Sequence, residues 1–265
     1  VLPGLAPTPF LRAMTEFAIK TLRAHADEPF ELIVVEAVHD YFNPQRKFGL
    51  HSVVDRSAVP IDSIQYLVGR IDKYLNFNPK IGGVKELNAG VDAATGDLIL
   101  STGNDVIAPP HWDTELRRVF EERKDAQAVS LSAFEPGAII GPPQALDMVV
   151  EGFYSPFLCF KRGWRFDEAF LKIYQDSDLI LRIYEGGGRA YRSCRAHVHH
   201  LLRMTSDRVD TTEHQRQLGI DEKLFYQRWG KSPLAMFGII RAGFQQFGRE
   251  HEARLCKINL HYKED

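Results

Sequence analysis

Short apolar runs alternate along this chain with stretches whose apolar residues recur at helical spacing. The run Phe30-Glu31-Leu32-Ile33-Val34-Val35-Glu36 has the β-branched character of a strand buried on both faces. Asp97-Leu98-Ile99-Leu100, Ala128 to Phe134, and Phe157 to Arg162 read as further strands, and Arg195-Ala196-His197-Val198-His199-His200 alternates with period two. That alternation sets Arg195, His197 and His199 on one face and Val198 on the other. Between these runs, apolar residues at 10, 11, 14, 17, 18 and 22 predict a helix, with Thr8 as N-cap and Pro9 at its first position. Gly82-Gly83 followed by an alanine-rich stretch to Gly96, Trp112 to Lys124, and Tyr174 to Tyr184 predict three more. A further helix is expected over Asp62 to Leu75 and a loop over Glu135 to Tyr154, where prolines and glycines collect. Beyond Met204 the pattern weakens until Phe237, Ile240, Phe244 and Phe247 suggest a C-terminal amphipathic helix.

Strand and helix in alternation predict an α/β fold, a mainly parallel central sheet with helices on both faces. In such sheets ligands bind beyond the carboxyl ends of the strands. Acids stand at those ends here: Glu36 after the first apolar run, and Asp105 in Ser101-Thr102-Gly103-Asn104-Asp105-Val106 after another. A third, Asp176, lies in the first turn of a predicted helix, where the helix dipole favours negative charge.

Composition narrows the field without deciding it. The 265 residues are 44% hydrophobic and 26% charged with a net charge of −2, as expected of a globular protein with no global attraction for nucleic acid or membrane. Cys159, Cys194 and Cys256 form no CxxC pair, so a disulfide framework or zinc knuckle is not indicated and a reducing compartment, the cytoplasm, is expected. No apolar run approaches the ~20 residues of a membrane span. Arg189, Arg192, Arg195 and Arg203 make one stretch locally basic, suited to a diphosphate, to an anionic acceptor, or simply to a solvated strand edge.

Several chemistries fail on spacing. Gly230-Lys231-Ser232 ends like a phosphate-binding loop, but Phe225 occupies its first glycine position. Gly186-Gly187-Gly188 follows a helix, no GxGxxG links a strand to a helix, and no nucleophile elbow occurs.

The ordered series is more telling than any member. Glu36 after Leu32-Ile33-Val34-Val35, Asn88-Ala89-Gly90 with Ala94-Thr95-Gly96-Asp97, Asn104-Asp105-Val106 before Trp112, Phe166-Asp167-Glu168, Gln175-Asp176-Ser177-Asp178-Leu179 with Arg182, and then His199 resembles family 2 glycosyltransferases of the GT-A fold. Asn104-Asp105-Val106 is similar to the asparagine–aspartate variant of the DxD motif in rhamnosyltransferase-like members. The resemblance spans Leu32 to Ser206. It implies a GT-A catalytic domain over residues 1–230 with a helical extension over 231–265, and an inverting transfer of a hexosyl or pentosyl group from a UDP-, GDP- or dTDP-sugar. Asp176 takes the place of the general base. Glu36, Lys85, Asn88, Asn104 and Asp105 fall where the donor binds, and Asp105 with His199 where Mn2+ or Mg2+ is held. His197 and His200 are alternatives to His199. The acceptor, whether glycan, lipid, protein or nucleic acid, is not specified, and a homo-oligomer stays open.

Each residue also has a plainer explanation. Asp105 alone is a turn or cap acid, Asp176 a helix-start acid, His197 and His199 hydrogen-bonded structural histidines, and Trp112 and Trp164 core or loop anchors. A nucleotidyltransferase or phosphohydrolase would use similar acids, and a non-catalytic nucleotide-sugar-binding domain would need fewer. A nucleotidyltransferase is expected to carry a basic, glycine-rich first loop, and Val1 to Phe10 has no basic residue.

Overall fold

The computed structural model describes residues 1–4, 9–37, 69–77, 82–134, 149–151, 157–201 and 211–232. Strands β1 (Leu2–Gly4), β2 (Ile33–Ala37) and β3 (Lys73–Phe77) form a parallel ladder in the order β1-β2-β3. Strands β4 (Leu98–Thr102), β5 (Val106–Ile107), β6 (Ala126–Phe134), β8 (Phe157–Lys161) and β9 (Arg189–His200) take the order β4-β8-β6-β9-β5, with β7 (Val149–Glu151) also on β9. Two main-chain bonds carry the sheet across the gap: the Val1 nitrogen donates to Leu100 O at 2.6 Å, and Thr102 N donates to Val1 O at 3.2 Å. That pattern is parallel, so β1, β2, β3, β4, β6 and β9 share one direction. Strand β8 runs against both β4 and β6, an antiparallel insertion in the mainly parallel sheet.

Side-chain alternation along the strands explains the layers. In β2, Val34 enters the core beneath α1 (Pro9–Ala24) and α3 (Trp112–Glu122) with Ile19, Leu22, Leu116 and Val119. Ile33 and Val35 enter the opposite core, beneath α2 (Gly83–Ala93), α4 (Gln175–Glu185) and α5 (Thr211–Trp229), with Val84, Leu179, Ile183 and Phe225. Phe157 and Cys159 likewise oppose Leu158 and Phe160 in β8. Both faces are covered, which is why these strands read as unbroken apolar runs. Gly90 lets α2 lie close on the sheet: a Cβ there would come within 2.5 Å of Val1 Cγ1 and 2.7 Å of Val35 Cγ2.

Two expectations need correction. The helix expected over Asp62 to Leu75 ends instead in a turn and in β3, because Lys73 to Phe77 pairs residue by residue with β2; residues 62–68 lie outside the described residues. The loop expected over Glu135 to Tyr154 contains β7, paired to Tyr191, Arg192 and Ser193, while the rest of it lies outside the described residues. Helix α5 falls where the pattern weakens, since its inward stripe of Gln217, Asp221 and Phe225 has only one apolar member. Thr8, Arg203, Cys256 and the C-terminal helix expected at Phe237 to Phe247 lie outside the described residues. Among the described residues no helix is long and apolar enough to cross a membrane.

Candidate active site

Strand β4 ends at Thr102, and the turn Gly103-Asn104-Asp105 leads into β5, whose antiparallel pairing with β9 registers Val106 with His200 and Ile107 with His199. Leu201 N donates to Asp105 O at 2.8 Å, closing the turn onto the end of β9. This register brings His200 Nε2 to 3.7 Å from Asp105 Oδ2, with the two side chains 11% and 14% exposed. Burial raises the Asp105 carboxyl above the usual carboxylate range, opposed by His200, by its own backbone N–H and by Lys172. Gly103 leaves room for that carboxylate, since a Cβ there would lie 2.4 Å from Asp105 Oδ1.

His199, the residue implied by the resemblance, lies on the other face of β9. There its ring meets that of His197 edge-on, with centroids 5.1 Å apart. Burial, then the neighbouring His199, lowers the pKa of His197. His200, one residue on from His199, is the histidine whose ring faces Asp105.

Asn104 is 5% exposed and donates from Nδ2 to Thr15 Oγ1 at 3.0 Å, which ties the turn to α1. Glu36 is the penultimate residue of β2 and accepts a hydrogen bond from Tyr74 OH on β3. Lys85 is exposed on α2. Asn88, 1% exposed, donates to Phe166 O at 2.9 Å and Glu168 Oε1 at 3.1 Å and accepts from Phe166 N at 3.1 Å, so its amide holds the Phe166 turn. Trp112 is a core anchor: its Nε1 donates to Leu22 O at 3.0 Å and its ring meets Phe30 and Phe157 edge-on. Trp164 Nε1 donates to Gln127 Oε1 at 3.4 Å. Arg195 is forked onto Glu122 with two bonds of 3.0 Å, and the Arg192 side chain is buried beside β7.

Asp176 and Asp178 share the first turn of α4 and have opposite surroundings. Asp178 is fully buried and accepts from Arg182 Nε at 2.8 Å, Arg228 Nη1 at 2.7 Å and Trp229 Nε1 at 3.2 Å. The Asp176 carboxyl is seated against protein, and burial pushes it up to about 6 despite hydrogen bonds from the backbone and hydroxyl of Ser177 and from its own N–H. An acid poised near neutrality is the condition for a general base. Tyr174, at the N-cap of α4 and two residues before Asp176, has φ 64°, a left-handed conformation unusual for a bulky side chain and common where a site stores strain.

Among the described residues no group of three or more histidine, cysteine or acidic side chains gathers at a metal-binding distance. Asp105 and His200 supply one carboxylate and one imidazole, a pair that suits manganese when substrate phosphates complete the shell. A cavity of about 400 Å³ opens near Phe30, Leu32, Leu98, Trp112 and Cys159; its lining includes none of Asp105, Asp176 or His200.

The fold is similar to that of solved glycosyltransferase structures. The chain has the GT-A fold. Staphylococcus aureus TarS aligns with a TM-score of 0.54 at 15% identity, over 76% of this chain and 36% of that one. A TarS 1-349 structure in complex with UDP gives 0.52 at 13% identity, over 90% and 73%. Mannosyltransferase PcManGT from Pyrobaculum calidifontis, in complex with GDP-Man and Mn2+, gives 0.50 at 16% identity, over 77% and 56%. The chain thus spans about a third of the TarS chain and just over half of the PcManGT chain. No protein-family model matches the sequence, and no curated protein matches it.

The sequence series did not include His200, Lys172 or Asp221. His200 was one of three adjacent candidates, and only the β5–β9 register separates them. Lys172 and Asp221 carry no spacing signal, because the turn and helix that bring them in are set by tertiary contacts.

Proposed function

We propose that the protein is an inverting glycosyltransferase that moves a sugar from a nucleotide-sugar donor to an acceptor hydroxyl with the help of a divalent cation. The observation that carries this reading is the approach of His200 to Asp105 at 3.7 Å at the strand ends, and it is supported by Asp176 at the start of α4, whose carboxyl burial pushes up to about 6. The neighbouring structures with UDP and with GDP-Man and Mn2+ support a nucleotide-diphosphate ligand on this fold.

Asp105 and His200 would hold the cation, with Asn104 fixing the turn from below. Bound there, the cation supplies Lewis-acid stabilisation to the departing diphosphate. Lys172, close enough to Asp105 to stabilise its charge, adds positive charge on the same side. Glu36, held by Tyr74 at the end of β2, meets the nucleoside, and Lys85 reaches the donor from α2. Asp176 accepts the acceptor's hydroxyl proton as that oxygen attacks the anomeric carbon. The bond from that carbon to the diphosphate oxygen breaks on the opposite side, so the configuration inverts.

Thermal-shift measurements with UDP, GDP, dTDP and their sugars, with and without Mn2+, test the binding half. A nucleotide that stabilises the protein only with the cation is expected, since a ligand of the folded state raises apparent stability. Sugar transfer that survives unchanged in both Asp105→Asn and Asp176→Asn would falsify the reading.

A further inference from the structure

Helix α5 touches the proposed base through a connection that the glycosyltransfer reading does not use. Asp221 is fully buried, and its carboxylate accepts three consecutive main-chain N–H groups: Leu171 at 2.8 Å on Oδ1, then Lys172 at 2.9 Å and Ile173 at 2.8 Å on Oδ2. Successive N–H groups turned to one point form a concavity that selects an anion. Here the anion is supplied from inside the molecule. One turn along α5, Phe225 packs its ring against Tyr174 with centroids 5.7 Å apart. One turn further, Arg228 bridges Asp167 at 2.5 Å and Asp178 at 2.7 Å, and Trp229 donates to Asp178. A single stripe of α5 thus grips the segment from Asp167 to Asp178 at several points, and the three amides sit just before Tyr174, whose left-handed backbone turns the chain into Asp176.

Without Asp221 those three amides would be short of partners and the strained turn would relax. Hydrogen bonds to a carboxylate are stronger than neutral ones, which suits them to holding an unfavourable backbone. We propose that Asp221 is a positioning residue: by gathering the amides of Leu171, Lys172 and Ile173 it fixes the turn that delivers the Asp176 carboxylate to the acceptor hydroxyl. This rests on the reading of Asp176 as the general base.

The test compares Asp221→Asn with Asp176→Asn, using transfer to water, read as release of UDP or GDP from UDP-glucose or GDP-mannose, whichever nucleotide binds. Asparagine keeps the size of the side chain and loses one of the two acceptor oxygens. In Asp221→Asn, kcat is expected to fall on the order of 10²-fold, the penalty of a misplaced catalytic group, while KM and nucleotide affinity stay within about threefold. Unchanged kcat in Asp221→Asn, with Asp176→Asn inactive, overturns this proposal alone. Activity surviving in Asp176→Asn overturns the base reading and this proposal with it. Loss of kcat and nucleotide affinity in parallel marks a merely structural role and also overturns it. Should Asp221→Asn not fold, amide hydrogen exchange on the unaltered protein decides: protection of residues 171–173 equal to that of β6 sustains the proposal, and exchange at open-loop rates overturns it.

Discussion

His200 Nε2 stands 3.7 Å from Asp105 Oδ2 across the last rung of the β5–β9 ladder, while His199, one residue earlier, turns to the opposite face and packs on His197. A one-residue step along a strand exchanges faces, so the two histidines are separable by mutation. Replacing His200 by alanine is expected to weaken Mn2+-dependent nucleotide binding about tenfold or more, and His199→Ala to weaken it much less. Isothermal titration with and without Mn2+ measures both; equal effects would undo the assignment.

Asp176 predicts a trade between activity and stability. Its carboxyl is raised to about 6 from an ordinary value of 3.8, so the folded state holds a proton that the unfolded state has already released between those pH values. Folding stability from this group therefore falls as pH rises from about 4 to about 6, and above that the buried charge costs up to about 3 kcal/mol. Asp176→Asn is expected to abolish transfer and yet melt several degrees higher at pH 7.5, with the gain vanishing near pH 4. In the unaltered protein, if Asp176 is the base, kcat is expected to rise through about pH 6 as its carboxyl ionises. Calorimetry across pH and a pH–rate profile check the two halves.

Asp178, two residues on, predicts the reverse. Removing it takes the shared buried acceptor from Arg182, Arg228 and the Trp229 indole, leaving Arg228 only Asp167, and breaking a buried pair from one side costs about 3–5 kcal/mol. Asp178→Ala should lower the denaturation midpoint sharply, while whatever fraction folds retains nucleotide affinity.

Gly103 predicts a change of binding with little change of fold. A methyl group there displaces the Asp105 carboxylate without meeting rigid backbone within 3.5 Å. Gly103→Ala should therefore cost about tenfold in Mn2+-dependent nucleotide affinity, with a melting temperature near that of the unaltered protein, both readable in one thermal-shift series.

The acids were legible because they sit where local chemistry announces itself: Asp105 after an apolar strand, Asp176 in a first helical turn. The α/β layering was legible for a related reason, since strands covered on both faces must be apolar throughout. His200 was not separable from its neighbours, because period-two alternation assigns faces but not what each face meets. The β6–β9 ladder, moreover, shifts register between Leu131 and Ser132. Helix α5 stayed hidden because its inward stripe carries two buried polar residues, Gln217 and Asp221, and the main-chain partners of Asp221 leave no periodic trace. β3 stayed hidden because five residues of ladder pairing with β2 outweigh a weak helical pattern.

Strand β6 lies between β8 and β9, and β4 between β1 and β8, so few neighbours in the sheet are neighbours in sequence. Non-local pairing of this kind makes folding slow, because long loops must close before any contact rewards them. A chain made as far as Lys161 already contains Asp105 and the whole of β8 but neither His200 nor Asp176. During synthesis the approach of His200 to Asp105 can form only when β9 docks beside β6, and the turn before Asp176 gains its clamp only when α5 follows. A chain stopped between those two events would carry a complete sheet and an unclamped turn before Asp176.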